Sequence, residues 1–202
     1  MNFNFPNLLT LSRIFLTFVF VILASNAGNM VDEPTTTMMV LRWVGYICAI
    51  IAGLTDFADG YVARKWNQQS EFGALLDQLA DKVFATATMV MLVELDFMAG
   101  WMAVIILSRE FLVTGLRLLA LKQNDRVIVA DKWGKWKTAL QMIAVFIAGL
   151  AWVGKFNIKT QVWEGMNLWM LWQGMLYLVV AVTLFSGIRY FYNNRDLFRV
   201  KE

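Results

Sequence analysis

Six apolar blocks dominate this chain, at about residues 7–25, 38–55, 78–98, 101–121, 138–154 and 167–188. Each is long enough to cross about 30 Å of hydrocarbon as a helix, which takes roughly 20 residues. Inside a bilayer a spanning segment must satisfy its own backbone hydrogen bonds, which an α-helix does within itself. Apolar residues make up 59% of the 202, above the roughly 45–50% usual for soluble domains. The pattern predicts an all-α integral membrane protein with six transmembrane helices. The only prolines, Pro6 and Pro34, stand outside the block interiors, where the missing amide proton does no harm. No internal repeat, low-complexity run or linker interrupts the chain, so residues 1–202 read as one domain. The first residues, Met1 to Pro6, carry no basic n-region or small-residue cleavage site, which favours a retained helix over a removable signal.

Orientation follows from the basic residues outside the blocks. Connections 1–2 and 3–4 hold none, and connection 5–6 holds Lys155 and Lys159. The other side holds Arg64, Lys65 and Lys82, and around connection 4–5 Arg117, Lys122, Arg126, Lys132, Lys135 and Lys137. Arg189, Arg195, Arg199 and Lys201 follow at the tail. That asymmetry places both termini and connections 2–3 and 4–5 in the cytoplasm of a multi-pass cell-membrane protein. Lys122, Arg126 and Lys132 are read as charges near anionic headgroups. The tryptophans are read as interfacial anchors or lipid-facing bulk. With a net charge of only +3, no nucleic-acid partner is expected.

The chain has no histidine, which excludes imidazole bases and His-ligated zinc. Its single cysteine, Cys48, cannot form an intramolecular disulfide. Ionisable chemistry falls to carboxylates, Lys, Arg and Tyr. Residues 55–82 concentrate four aspartates at the ends of blocks two and three. Asp56 and Asp59 are spaced i,i+3, with Ala63 at i+7, so all three share a face if the second helix continues past the membrane. Asp77 and Asp81 are spaced i,i+4, with Gly73 one turn earlier. A connection of about ten residues makes the two helices antiparallel neighbours, whose carboxylates can converge. Gathered carboxylates repel. Arg64 and Lys82 cannot neutralise four of them, whereas hard divalent cations can and also bridge substrate phosphates. Taken singly, each aspartate reads as a solvated interfacial carboxylate.

The pattern Asp56-x2-Asp59-Gly60-x2-Ala63-Arg64-x8-Gly73-x3-Asp77-x3-Asp81 resembles the signature of the CDP-alcohol phosphotransferase family. The resemblance implies that Asp56, Asp59 and Asp77 bind metal, Mg²⁺ or Mn²⁺ and two ions in all. It implies that Asp81 completes the site and deprotonates the acceptor hydroxyl. Gly60, Ala63, Arg64, Ser70 and Gly73 are implied to line the site for the cytidine diphosphate of CDP-diacylglycerol. Gln78 departs from the pattern, since many relatives carry proline after the third aspartate. A homodimer among membrane lipids is implied as well.

The signature leaves the acceptor open. Pro6 to Arg13, Ser108 to Phe111, Thr114 to Arg117, Gly134 to Gln141 and Ser186 to Tyr192 resemble, in that order, the family members that use sn-glycerol 3-phosphate. That resemblance implies phosphatidylglycerophosphate and CMP as products. The residues themselves suit a phosphorylated acceptor. Arg109 and Glu110 fall in mid-block, where ionisable groups are expensive and usually functional. Arg117, Lys135 and Lys137 stand at the ends of blocks four and five, and Arg and Lys both bind phosphate. Arg109, Arg117, Lys135 and Lys137 are the candidate acceptor-phosphate ligands. Arg109 and Glu110 also suit helix packing. Lys135 and Lys137, two apart, point to opposite sides of a helix, so one of them reaches substrate. Arg189 either joins the phosphate site or snorkels. Asn7 and Thr10 either touch the nucleotide or cap the first helix. Other acceptors remain open, namely inositol phosphate, serine and phosphatidylglycerol. A non-catalytic transporter with a divalent-cation site is a further reading, against which the charges concentrate at one face.

Overall fold

The computed structural model describes residues 5–29, 34–66, 71–124, 132–154, 158–159, 162–163 and 166–195. Among them six helices and one short ribbon form. The helices are α1 (Phe5–Ala27), α2 (Thr36–Trp66), α3 (Glu71–Glu94), α4 (Gly100–Asn124), α5 (Lys132–Trp152) and α6 (Leu168–Asn193). Every apolar block coincides with one of them. Three stretches are long and apolar enough to cross a membrane, Asn7–Ala27, Thr36–Thr55 and Leu168–Asn193. In α3, α4 and α5 the ionisable residues Asp77, Asp81, Lys82, Arg109, Glu110, Lys135 and Lys137 interrupt the apolar run.

Two expectations about boundaries are corrected, and one short ribbon is added. The third block does not stay helical to residue 98, because Leu95–Met98 turns with Asp96 at φ 58°. Phe97 N donates to Leu92 O at 2.9 Å there, closing the helix end. The connection between α2 and α3 shortens from about ten residues to 67–70, since both helices run on through the polar segment. Finally, β1 (Val162–Trp163) pairs antiparallel with β2 (Met166–Asn167), a ribbon too short for any periodicity to announce. Asn167 also caps α6, its side chain accepting from Trp169 N at 2.9 Å.

The chain divides into two compact units. The first contains residues 1–97 and 148–155, the second 98–147 and 156–202. In the first, α1 packs against α2 and α3. Its buried residues Thr10, Arg13, Thr17, Phe20, Ala24 and Ala27 recur every three or four positions, a single face of the helix. Buried Arg42 ties the unit together on α2, donating to the carbonyls of Asn29 and, at 3.3 Å, Trp152. Trp152 Nε1 in turn donates to Gly28 O at 3.0 Å.

Gly149 of α5 lies against Tyr46 of α2, and a Cβ there would stand 2.5 Å from Tyr46 Cδ2. Tyr46 is buried and set edge-on to Trp43, so the ring has little room to yield. Gly to Ala inside a helix ordinarily stabilises by about 0.5–1 kcal/mol. Here overpacking of about 1–3 kcal/mol opposes it. Gly149→Ala is therefore expected to lower the unfolding temperature, followed by tryptophan fluorescence in detergent. An unchanged or raised midpoint would refute the close packing.

In the second unit α4 packs against α6. Val113, Leu116 and Tyr190 form a buried cluster there, with Phe191 against it. The buried residues of α6 are Trp172, Leu176, Val179, Val180, Thr183, Ser186, Gly187 and Tyr190. The stripe turns small and polar towards the end of the helix, and that is where Arg109 meets it.

Candidate active site

The aspartates belong to the first unit. Helix α2 spans 31 residues, about 46 Å at 1.5 Å per residue, well beyond the roughly 30 Å of a hydrocarbon core. Asp56, Asp59, Gly60, Ala63 and Arg64 occupy its last part on continuous helical backbone. The helix needed for the i,i+3,i+7 spacing is present. Their side chains lie outside the described residues, as does Ser70 altogether. Asp77 and Asp81 sit one turn apart near the start of α3, with Gly73 one turn before Asp77.

Asp77 is paired. Arg13 Nη1, from the buried face of α1, donates to Asp77 Oδ1 at 3.2 Å. The arginine side chain is 1% exposed and the carboxylate 50%, so a buried cation reaches out to a carboxylate that still faces solvent. Burying an arginine is expensive unless it is paired, and Asp77 is the partner that offsets the expense. The sequence named Arg13 only as the end of the stretch from Pro6 that carries the family resemblance. Its partner is 64 positions away, so nothing local could have supplied it. Thr10, one turn before Arg13, is buried on the same face, and Asn7 is half-buried. Both lie inside α1, past the position from which a side chain caps a helix.

Asp81 is 52% exposed and sits 3.4 Å from Lys82 Nζ. An exposed pair of this kind is worth about 0–1 kcal/mol, so the carboxylate remains available for chemistry. Among the described residues no three acidic or cysteine side chains cluster, the side chains of Asp56 and Asp59 being outside that set. The donors fit a hard divalent cation in kind. They are carboxylate oxygens on helical backbone, and the two that are described are half open to solvent.

The basic residues belong to the second unit, where a carboxylate organises them. Lys137 Nζ, from α5, hydrogen-bonds to Glu110 Oε1, and Arg109 Nη1 lies 3.4 Å from the same oxygen. Arg109 Nη2 donates to Ser186 Oγ at 2.7 Å. Glycines make room for the arginine. A Cβ at Gly187 would stand 3.2 Å from Arg109 Cγ, and one at Gly134 would stand 3.6 Å from Nη2. Arg117 lies over the Tyr190 ring, 5.9 Å from its centroid, and both are within electrostatic range of Arg109.

Lys137 is 2% exposed whereas Lys135 is exposed, so only the former enters this network. Arg189 is exposed on α6. Gln141, one turn after Lys137 on α5, is buried, and sequence reasoning assigned it nothing. Among the described residues Gln141 Oε1, Tyr190 OH, Arg109 Nε and Arg117 Nε are buried without a hydrogen-bond partner. Buried polar atoms are nearly always partnered, so this group suits a polar ligand.

Comparison with known proteins adds an independent finding. The family model described as CDP-alcohol phosphatidyltransferase matches residues 3–185. A Bacillus subtilis protein named CDP-diacylglycerol–glycerol-3-phosphate 3-phosphatidyltransferase is 39% identical over 194 residues, covering 95% of each chain. Proteins of the same name from Haemophilus influenzae and Escherichia coli are each 35% identical. The first covers 94% of this chain and 92% of its own, the second 94% of both. A match over nearly the full length, aspartate helices and basic network included, makes this chain a member of the CDP-alcohol phosphatidyltransferase family.

Proposed function

We propose that this protein transfers the phosphatidyl group of CDP-diacylglycerol to sn-glycerol 3-phosphate, forming phosphatidylglycerophosphate and CMP. The carrying observation is that Arg109 and buried Lys137 meet on the carboxylate of Glu110, with Arg117 within electrostatic range of Arg109. A cationic excess of that kind suits a phosphorylated acceptor and has no use for a neutral one. The name shared by the similar proteins supports the same acceptor.

Asp56, Asp59, Asp77 and Asp81 hold Mg²⁺ or Mn²⁺, two ions, which when bound supply neutralisation of the diphosphate charge. Gly60, Ala63, Arg64, Ser70 and Gly73, with Asn7 and Thr10, bind the cytidine diphosphate, while the acyl chains stay in the lipid. Arg109, Arg117 and Lys137 bind the acceptor phosphate, and Lys135 adds an exposed positive charge nearby in the chain. Asp81 takes the proton from the primary hydroxyl of glycerol 3-phosphate. That oxygen attacks the phosphorus carrying diacylglycerol, the bond from phosphorus to the CMP oxygen breaks, and Arg64 stabilises the departing CMP. Positioning and charge neutralisation account for most of the acceleration, and no covalent enzyme intermediate forms.

In the same reading residues 1–202 work as one catalytic domain, α1 to α6 all cross the cell membrane, and both termini and the active site face the cytoplasm. The basic residues on that side support the orientation. The protein works as a homodimer, as its family resemblance implies. The test is an acceptor screen with purified protein and radiolabelled CDP-diacylglycerol. Glycerol 3-phosphate is expected to release CMP and form labelled lipid, whereas inositol phosphate, serine and phosphatidylglycerol are expected to give neither. Chelation should stop the reaction and Mg²⁺ or Mn²⁺ restore it. Transfer to another acceptor in preference would overturn the assignment.

A further inference from the structure

Glu110 is out of place in an anion site. A carboxylate repels the ligand expected there, and in mid-helix it is costly on its own account. Its contacts supply a reason for it. One oxygen, Oε1, is shared by Lys137 Nζ and Arg109 Nη1, so one side chain holds two cations that come from different helices. Lys137 lies on α5 and Arg109 on α4, and the stem of Arg109 is wedged against Gly187 of α6. Buried as it is, the Lys137 ammonium has the Glu110 carboxylate beside it to offset the cost of burying the charge.

Among the described residues Arg109 and Lys137 both pair with Glu110, so cations outnumber the carboxylate they share. A phosphomonoester near neutral pH carries about two negative charges.

We propose that Glu110 is a positioning residue of the acceptor site, holding Lys137 and Arg109 ready for the phosphate of a phosphomonoester. The inference rests on the function proposed above and deepens it. Acceptors bearing a phosphomonoester are selected over zwitterionic or neutral alcohols, because only they bring a phosphate to the two cations that Glu110 holds in place. Holding the cations in place beforehand removes the ordering cost of binding.

The experiment compares the full-length wild type with Glu110→Gln and Glu110→Asp in lipid nanodiscs, varying glycerol 3-phosphate and CDP-diacylglycerol separately. Glu110→Gln is expected to raise the KM for glycerol 3-phosphate about 30-fold, with kcat within about threefold and the KM for CDP-diacylglycerol within about twofold. Glu110→Asp keeps the charge and is expected to raise the acceptor KM only about fivefold. An acceptor KM that stays unchanged or falls in Glu110→Gln overturns the proposal. So does a parallel loss in both KM values and kcat that Glu110→Asp does not relieve, the mark of a merely structural role. If Glu110→Gln does not fold, Glu110→Asp decides alone, a selective rise supporting the proposal and no rise overturning it. Wild-type protein that makes no lipid from glycerol 3-phosphate removes the functional reading and this inference together. Wild-type turnover with an unmoved variant removes the inference alone.

Discussion

Asp81→Asn is expected to lower CMP release from CDP-diacylglycerol and glycerol 3-phosphate by about a thousandfold, within the range that loss of a general base produces. Asparagine keeps the shape but accepts no proton and offers a weaker metal ligand. The fold should be indifferent, because Asp81 is half exposed and contacts only neighbouring Lys82 at 3.4 Å among its described ion pairs. Activity and stability should therefore separate, with an unfolding midpoint close to the wild type. The rate is to be read at saturating Mg²⁺, which distinguishes lost base from weakened metal binding. Normal CMP release in this variant would remove Asp81 from the chemistry and revive the transporter reading.

The second large effect is expected at Lys137. Lys137→Met keeps the length of the side chain and deletes the ammonium that pairs with Glu110. Removing one partner of a buried pair typically costs about 3–5 kcal/mol. Some of that will appear as lower stability and some as weaker acceptor binding. The acceptor KM is expected to rise about 100-fold, near 3 kcal/mol at 1.4 kcal/mol per tenfold. Lys135→Met, at an exposed position two residues away, should raise it only about threefold, as a solvated charge does. Steady-state kinetics on both variants gives the comparison. Equal effects would mean that burial does not separate the two lysines, and the reading of the network would fail.

Several of these features were legible in the residues and several were not. The helices at all six apolar blocks were legible, because hydrophobic length is a local property of the chain. The continuation of α2 to Trp66 was only half legible, because the spacing of Asp56, Asp59 and Ala63 suits a helix while the polar composition suggested a connection of about ten residues. The turn at Leu95–Met98 was not legible, because apolar residues serve a buried turn as well as a helix and Asp96 at positive φ leaves little trace. The choice between Lys135 and Lys137 was half legible. Helical geometry required that they face opposite ways, but which one turns inward depends on where Glu110 stands.

By itself the sequence determined that this is a helical membrane protein carrying a four-aspartate motif, because block length and i,i+3 or i,i+4 spacing need only neighbours along the chain. The tertiary structure alone decided that Arg13 answers Asp77, that Glu110 joins Lys137 to Arg109, and that Ser186 closes that set. Those partners are 64, 27 and 77 positions apart in the pairs Arg13–Asp77, Lys137–Glu110 and Arg109–Ser186. The reason is physical. An ion buried among helices is stabilised by whichever opposite charge or polar group packing brings within reach, and packing is a property of faces in contact, which residue order does not specify.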